Sequence, residues 1–174
     1  SGQGVDQNYE QAARYYLLAA GRGEVAAQFS MALMYRDGLG VEQNYEEAAN
    51  FYRMAAEQGH IAAMFSMAAM YETGEGIEQN YEEAFRWYRL AAGQGHPSSQ
   101  NNLGLMYESG QGVAENPLRA YAWLKIASTL ATGDERVRFQ GNRDQVEAQL
   151  SAAQLTEANA LSDRCLESRY RECE

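Results

Sequence analysis

Proline and cysteine are scarce in this 174-residue chain, two of each, and histidine also occurs only twice, at His60 and His96. So few prolines leave long stretches open to helix, since proline inside a helix costs about 3 kcal/mol. A metal centre at either histidine needs further converging ligands, and none is suggested, so no metal or other cofactor is expected. No apolar run approaches the roughly 18–20 residues that span a bilayer. The opening Ser-Gly-Gln-Gly-Val has neither the basic nor the apolar segment of a signal peptide. Positive charge is also short. Fourteen basic residues face 24 acidic ones, for a net charge of −10. The densest basic group, Arg136, Arg138 and Arg143, is interleaved with Asp134, Glu135 and Asp144. Such a surface repels a phosphate backbone, which excludes nucleic acid as the expected partner.

What the chain has is alanine, glutamate, glutamine, leucine, methionine and tyrosine, with few valines and isoleucines. Unbranched side chains lose little rotamer freedom in a helix, so the mix favours helix over sheet. It is also periodic. Gly-x-Gly followed by valine or isoleucine occurs at Gly2–Val5, Gly38–Val41, Gly74–Ile77 and Gly110–Val113, 36 residues apart each time. Residues 38–73 and 74–109 share 19 identities in 36 positions. After each turn an asparagine (Asn8, Asn44, Asn80, Asn116) stands where a helix should start, with Gln11, Glu47 or Glu83 three residues on. That is an N-cap with the spacing of a capping box. In the fourth copy Pro117 takes the first helical position, where proline is best tolerated. The columns Ala12/Ala48/Ala84/Ala120, Tyr16/Tyr52/Tyr88/Leu124 and Ala19/Ala55/Ala91/Ala127 are offset by 4 and 3, one helix face. A second helix carries Met31/Met67/Leu103, Ala32/Ala68/Gly104, Met34/Met70/Met106 and Tyr35/Tyr71/Tyr107. Neither helix buries its apolar face alone, and stacking of neighbours resolves this.

The pattern A-x₃-[ML]-[AG]-x-M-Y-x₂-G-x-G-[VI]-x₂-N-x₃-A-x₂-[WFY]-Y-x₂-AA, carried in full by Ala27–Ala56 and Ala63–Ala92, resembles the Sel1-like repeat, a relative of the tetratricopeptide repeat. The third copy departs from it at Ser99, Leu124 and Ser128. The resemblance implies an all-α fold, a right-handed α/α superhelical solenoid with a C-terminal helical cap. In that register residues 1–23 are the second helix of a truncated repeat. Three complete repeats cover 24–57, 60–93 and 97–130, and 131–174 form capping helices. The tail reads as a turn at Thr132-Gly133-Asp134, a polar helix near 135–150, then a helix capped by Ser151 or Thr156.

Cys165 and Cys173 would lie about 12 Å apart along one straight helix, beyond the roughly 7 Å Cα limit for a disulfide. If the helix ends near Ser168 and the chain folds back, they can pair. An intrachain disulfide is the leading reading, with free thiols or an intermolecular bond as alternatives. The disulfide implies a periplasmic or secreted protein, and a cytoplasmic one stays open.

Little points to catalysis. The Gly-x-Gly turns lie between helices with no preceding strand, unlike a dinucleotide fingerprint. The resemblance includes secreted relatives described as β-lactamase-like, which keeps a secreted hydrolase of cell-wall fragments or β-lactams as the alternative function. Serine β-lactamases need Ser-x-x-Lys, and Ala122 stands three residues before the sole lysine, Lys125. The expectation is therefore a non-enzymatic scaffold for another protein or peptide, and the resemblance to tetratricopeptide repeats implies that its site is the concave face lined by first helices. There the exposed positions are Phe29, Leu33 and Arg36, then Phe65, Ala69 and Glu72, then Asn101, Leu105 and Glu108. These form either an apolar groove with a charged rim or packing against neighbouring repeats. A further reading makes this segment a spacer and cap for a longer solenoid that binds upstream.

Overall fold

Asparagine opens each helix that follows a Gly-x-Gly turn. In the computed structural model, which describes residues 8–171 and 173, α1 (Tyr9–Ala20), α3 (Tyr45–Glu57), α5 (Tyr81–Ala92) and α7 (Pro117–Leu130) begin this way. The Oδ1 atoms of Asn8, Asn44, Asn80 and Asn116 accept the N–H of Gln11, Glu47, Glu83 and Arg119 at 2.9, 3.1, 3.1 and 3.0 Å. Each bond satisfies a donor that the first turn leaves unpaired. The intervening helices are α2 (Val25–Asp37), α4 (Ile61–Thr73) and α6 (Pro97–Ser109). Two more complete the described residues, α8 (Gly133–Glu147) and α9 (Ala152–Glu167), with no strand among them. Ser151 caps α9 in a reciprocal box with Gln154. Thr156 lies inside that helix, its hydroxyl donating to the Ala152 carbonyl at 2.9 Å.

Both glycines of the turn have a structural reason. Gly38, Gly74 and Gly110 end α2, α4 and α6 at φ 67°, 77° and 70°, the left-handed region that only glycine enters freely. Gly40, Gly76 and Gly112 lie at φ 70°, 74° and 70°, and a Cβ there would overlap the backbone of Tyr9, Tyr45 and Tyr81. Each loop thus closes against the start of the preceding second helix. The first copy, Gly2–Val5, lies outside the described residues.

The chain divides into two compact units, Ser1–Gln79 and Asn80–Glu174. In the first, α2 packs against α1 and α3, and α3 against α4. Tyr52 is 1% exposed, with Ala48 and Ala55 fully buried beside it. The same column in α1 is open: Tyr16 is 42% exposed, and Ala12 and Ala19 are half-buried. The difference is α2, which covers that face of α3; no described helix does so for α1. In the second unit α7 is the hub, packed by α6, α8 and α9, and seven of its residues from Ala120 to Ala127 are buried except for half-buried Lys125. Gly104 belongs to the small-residue column for a reason specific to this unit, since a Cβ there would lie 2.7 Å from Leu124 Cγ. Phe139, fully buried with Ala127 and Ala131, fixes α8 to α7. Lys125 ties α7 to α9, its Nζ donating to Asn159 Oδ1 at 2.8 Å and Asp163 Oδ1 at 3.1 Å. No described helix is long and apolar enough to cross a membrane.

Candidate functional site

The surface expected to take a partner is formed by the first helix of each repeat, so its positions recur once per repeat. In the first unit, α2 and α4 bring three of them together. Arg36, Phe65 and Ala69 line a cavity of about 200 Å³ with Tyr52, Ser66 and Thr73. Arg36 sits at the end of α2 and grips the Asp37 carboxylate with two bonds, Nε at 2.7 Å and Nη2 at 2.8 Å. This pairing raises the guanidinium's pKa above its already high value and holds the Asp37 carboxyl below the usual carboxylate range. The Tyr52 hydroxyl lies near Ser66 and Arg36, yet is buried without a hydrogen bond of normal length. Burial pushes its pKa up. Leu33 and Glu72 are half-buried on the same pair of helices.

Two expected positions are already engaged. Phe29 is half-buried, stacked on His60 with ring centroids 4.3 Å apart and tilted against Tyr52 at 5.7 Å. It packs on Tyr52 of its own repeat and on the N-cap of α4. Asn101, expected to be exposed, is 3% exposed and accepts a hydrogen bond from Asn142 Nδ2 at 2.8 Å. The cause is α8, which lies against α6; Ser98 also donates to Glu135 there, at 3.1 Å. In the second unit the capping helix therefore occupies this end of the first-helix face. Leu105 packs against the core of that unit, and Glu108 is half-buried.

The remaining candidates have structural work. His60 and His96 are N-caps, their Nδ1 atoms accepting the N–H of Ala63 and Ser99, each at 3.2 Å. Burial lowers the His96 pKa, opposed by the Glu135 carboxylate. No group of three or more histidine, cysteine or acidic side chains among the described residues is placed to hold a metal. Trp123 is 4% exposed in the core of the second unit. Cys165 and Cys173 stand at disulfide distance, Cα to Cα 4.5 Å, because α9 ends at its C-cap Ser168 and the chain turns back. That turn passes through Arg169 and Tyr170, both at positive φ, 53° and 66°.

An asparagine-capped helix followed by a second helix and a double-glycine turn, three times at one period among the described residues, defines a helical-repeat protein. Residues 1–24, 25–60, 61–96 and 97–131 match the Sel1 repeat model, and the chain belongs to that family. Sel1-repeat proteins are generally scaffolds for protein interaction. Among solved structures, the chain is similar to c5321, a protective antigen of uropathogenic Escherichia coli with the same repeat fold. The identity is 34% and the TM-score 0.84, over 99% of this chain and 36% of that one. A Sel1 repeat protein from Oxalobacter formigenes is 32% identical with a TM-score of 0.73, over 90% of this chain and 67% of that one. Cysteine rich protein B of Helicobacter pylori, at 21% identity and TM-score 0.56 over 78% of this chain and 97% of that one, is alike in fold alone. The chain thus spans about a third of the E. coli antigen. No curated protein sequence matches it.

Proposed function

We propose that this chain is a non-enzymatic adaptor of the bacterial cell envelope that docks another protein or peptide on the first-helix face of α2 and α4. The observation that carries this reading is the convergence of Arg36, Phe65 and Ala69 on one open cavity between these helices. An apolar floor beside a fixed charge suits a protruding side chain with a polar neighbour. The charged rim is anchored, because Arg36 is held by Asp37 and loses little freedom on binding. The envelope location is supported by the cysteine pair, since disulfides persist in oxidising compartments and are rare in the cytosol. The likeness to a bacterial antigen agrees with it.

The test is capture of partners from an envelope extract by the wild-type chain and by Ala69→Glu. Ala69 is half-buried at the cavity, whereas Phe29 is too deeply stacked for its substitution to separate binding from folding. A partner held by the wild type and lost by a folded Ala69→Glu supports this surface. Equal capture by both rejects it. Hydrolysis of a chromogenic β-lactam or of muropeptides by the pure chain would overturn the non-enzymatic reading.

A further inference from the structure

The cavity between α2 and α4 has a volume of about 200 Å³, room for a single side chain and below the roughly 300–1,000 Å³ of a small-molecule cleft. Phe65, Ala69 and Met70 give it apolar walls. Two of its hydroxyls are already committed. Ser66 donates to the Ala62 carbonyl and Thr73 to the Ala69 carbonyl, each at 3.0 Å. Arg36 gives Nε and Nη2 to Asp37, which leaves Nη1 for another acceptor. Tyr52 is the exception: the residue is 1% exposed, and its hydroxyl, beside Ser66 and Arg36, has no hydrogen-bond partner. Such a group destabilises the fold, and phenylalanine would fill the same space without that cost. A group arriving from outside can supply the missing acceptor.

Charge narrows what that group is. One cation, Arg36, stands with two carboxylates, Asp37 beside it and Glu75 on the cavity wall. A carboxylate guest meets two like charges and an ammonium guest meets the guanidinium, while a neutral group is repelled by neither. A primary amide is neutral and carries an acceptor and two donors on neighbouring atoms, whereas a serine or threonine hydroxyl has one oxygen for both roles. We propose that the cavity receives the side-chain amide of a glutamine or asparagine in the docked peptide, an inference that rests on the face of α2 and α4 being the docking surface. The amide carbonyl accepts from the Tyr52 hydroxyl and from Arg36 Nη1, its NH₂ group donates to the Glu75 carboxylate, and its methylene stem lies against Phe65 and Ala69. Arg36, whose side chain is 43% exposed, pivots on its Asp37 pair to uncover the hydroxyl. Shielded from bulk water, the bond so formed is stronger than one at the surface.

The experiment is selection of a randomised nonapeptide library on the wild-type chain, on Tyr52→Phe and on Ala69→Glu, followed by affinities of the selected peptide. The expected result is enrichment of glutamine or asparagine at one position on the wild type and on neither variant. The selected peptide binds Tyr52→Phe about fivefold more weakly, the loss of one neutral hydrogen bond, and its glutamate version binds the wild type at least about tenfold more weakly. Tyr52→Phe keeps or exceeds the wild-type melting temperature, so this loss is not unfolding. No enrichment, enrichment of an acidic, basic or apolar residue in place of the amide, or a Tyr52→Phe protein that melts clearly lower, overturns the proposal. The same amide preference on Tyr52→Phe overturns it and leaves the docking face standing. A preference that survives Ala69→Glu overturns the face as well.

Discussion

Tyr16 and Tyr52 occupy the same place in the repeat, yet substituting them should have very different effects. Tyr52 is 1% exposed between α2 and α4, while Tyr16 is 42% exposed on α1. Truncating a fully buried aromatic ring costs about 3–5 kcal/mol, from lost transfer energy and the cavity left behind. Tyr52→Ala should therefore destabilise by about 4 kcal/mol, and Tyr16→Ala by less than about 1 kcal/mol. The hydroxyl adds a second contrast. It is buried without a hydrogen bond, so Tyr52→Phe should be neutral or stabilising by up to about 1 kcal/mol. Urea unfolding followed by far-ultraviolet circular dichroism reads all three. Tryptophan fluorescence, from Trp87 and Trp123, reports the second unit separately. Equal losses for Tyr16→Ala and Tyr52→Ala would refute the claim that the first helix of a repeat buries the second. A Tyr52→Phe protein destabilised by about 2 kcal/mol would show that the hydroxyl is satisfied after all.

Three other outcomes follow from single features. Gly76→Ala combines positive φ with overlap on the Tyr45 backbone, and should cost at least about 2 kcal/mol; Gly133→Ala, at φ 56° with open space around it, should cost about 1 kcal/mol. Equal costs in thermal unfolding would show that the close approach is unimportant. The Cys165→Ala/Cys173→Ala variant should lose about 2–4 kcal/mol, and the unreduced wild type should resist alkylation in mass spectrometry; two alkylated thiols in protein folded under oxidising conditions would contradict the pairing. His96 has a folded pKa below its ordinary 6.5 because it is buried. The unfolded chain then takes up a proton first as pH falls. The stability that His96 contributes is complete above about pH 6.5 and declines below it. His96→Asn keeps a capping side chain without the titration, so its stability should fall less than the wild type's between pH 7.5 and 5.5. The same fall in both would reject that role.

Nearly all of the scaffold was legible in the residues, because each repeat restates its own grammar. Asn44 and Asn80 mark the helix starts, Gly38 and Gly74 the stops, and the Ala48–Tyr52–Ala55 spacing the buried face. Four copies at one period turn weak local signals into a strong one. The cysteine pairing was within reach once the last helix was seen to end near Ser168. The site was less legible, since exposure depends on what neighbouring elements cover. Asn101 follows Phe29 and Phe65 in its column, but the column does not say that α8 reaches it through Asn142. The polar pattern of residues 135–150 gave a helix without its seat, because only Phe139 and Val146 are buried in α8.

The central claim is that a partner sits on the face of α2 and α4, and site-specific photocrosslinking tests it most directly. A photoreactive residue at Ala69 reports on that face, and one at Leu18, 64% exposed on α1 and away from the cavity, is the control. The account predicts that the captured partner crosslinks through position 69 and not through position 18. Crosslinking through 18 alone would contradict it.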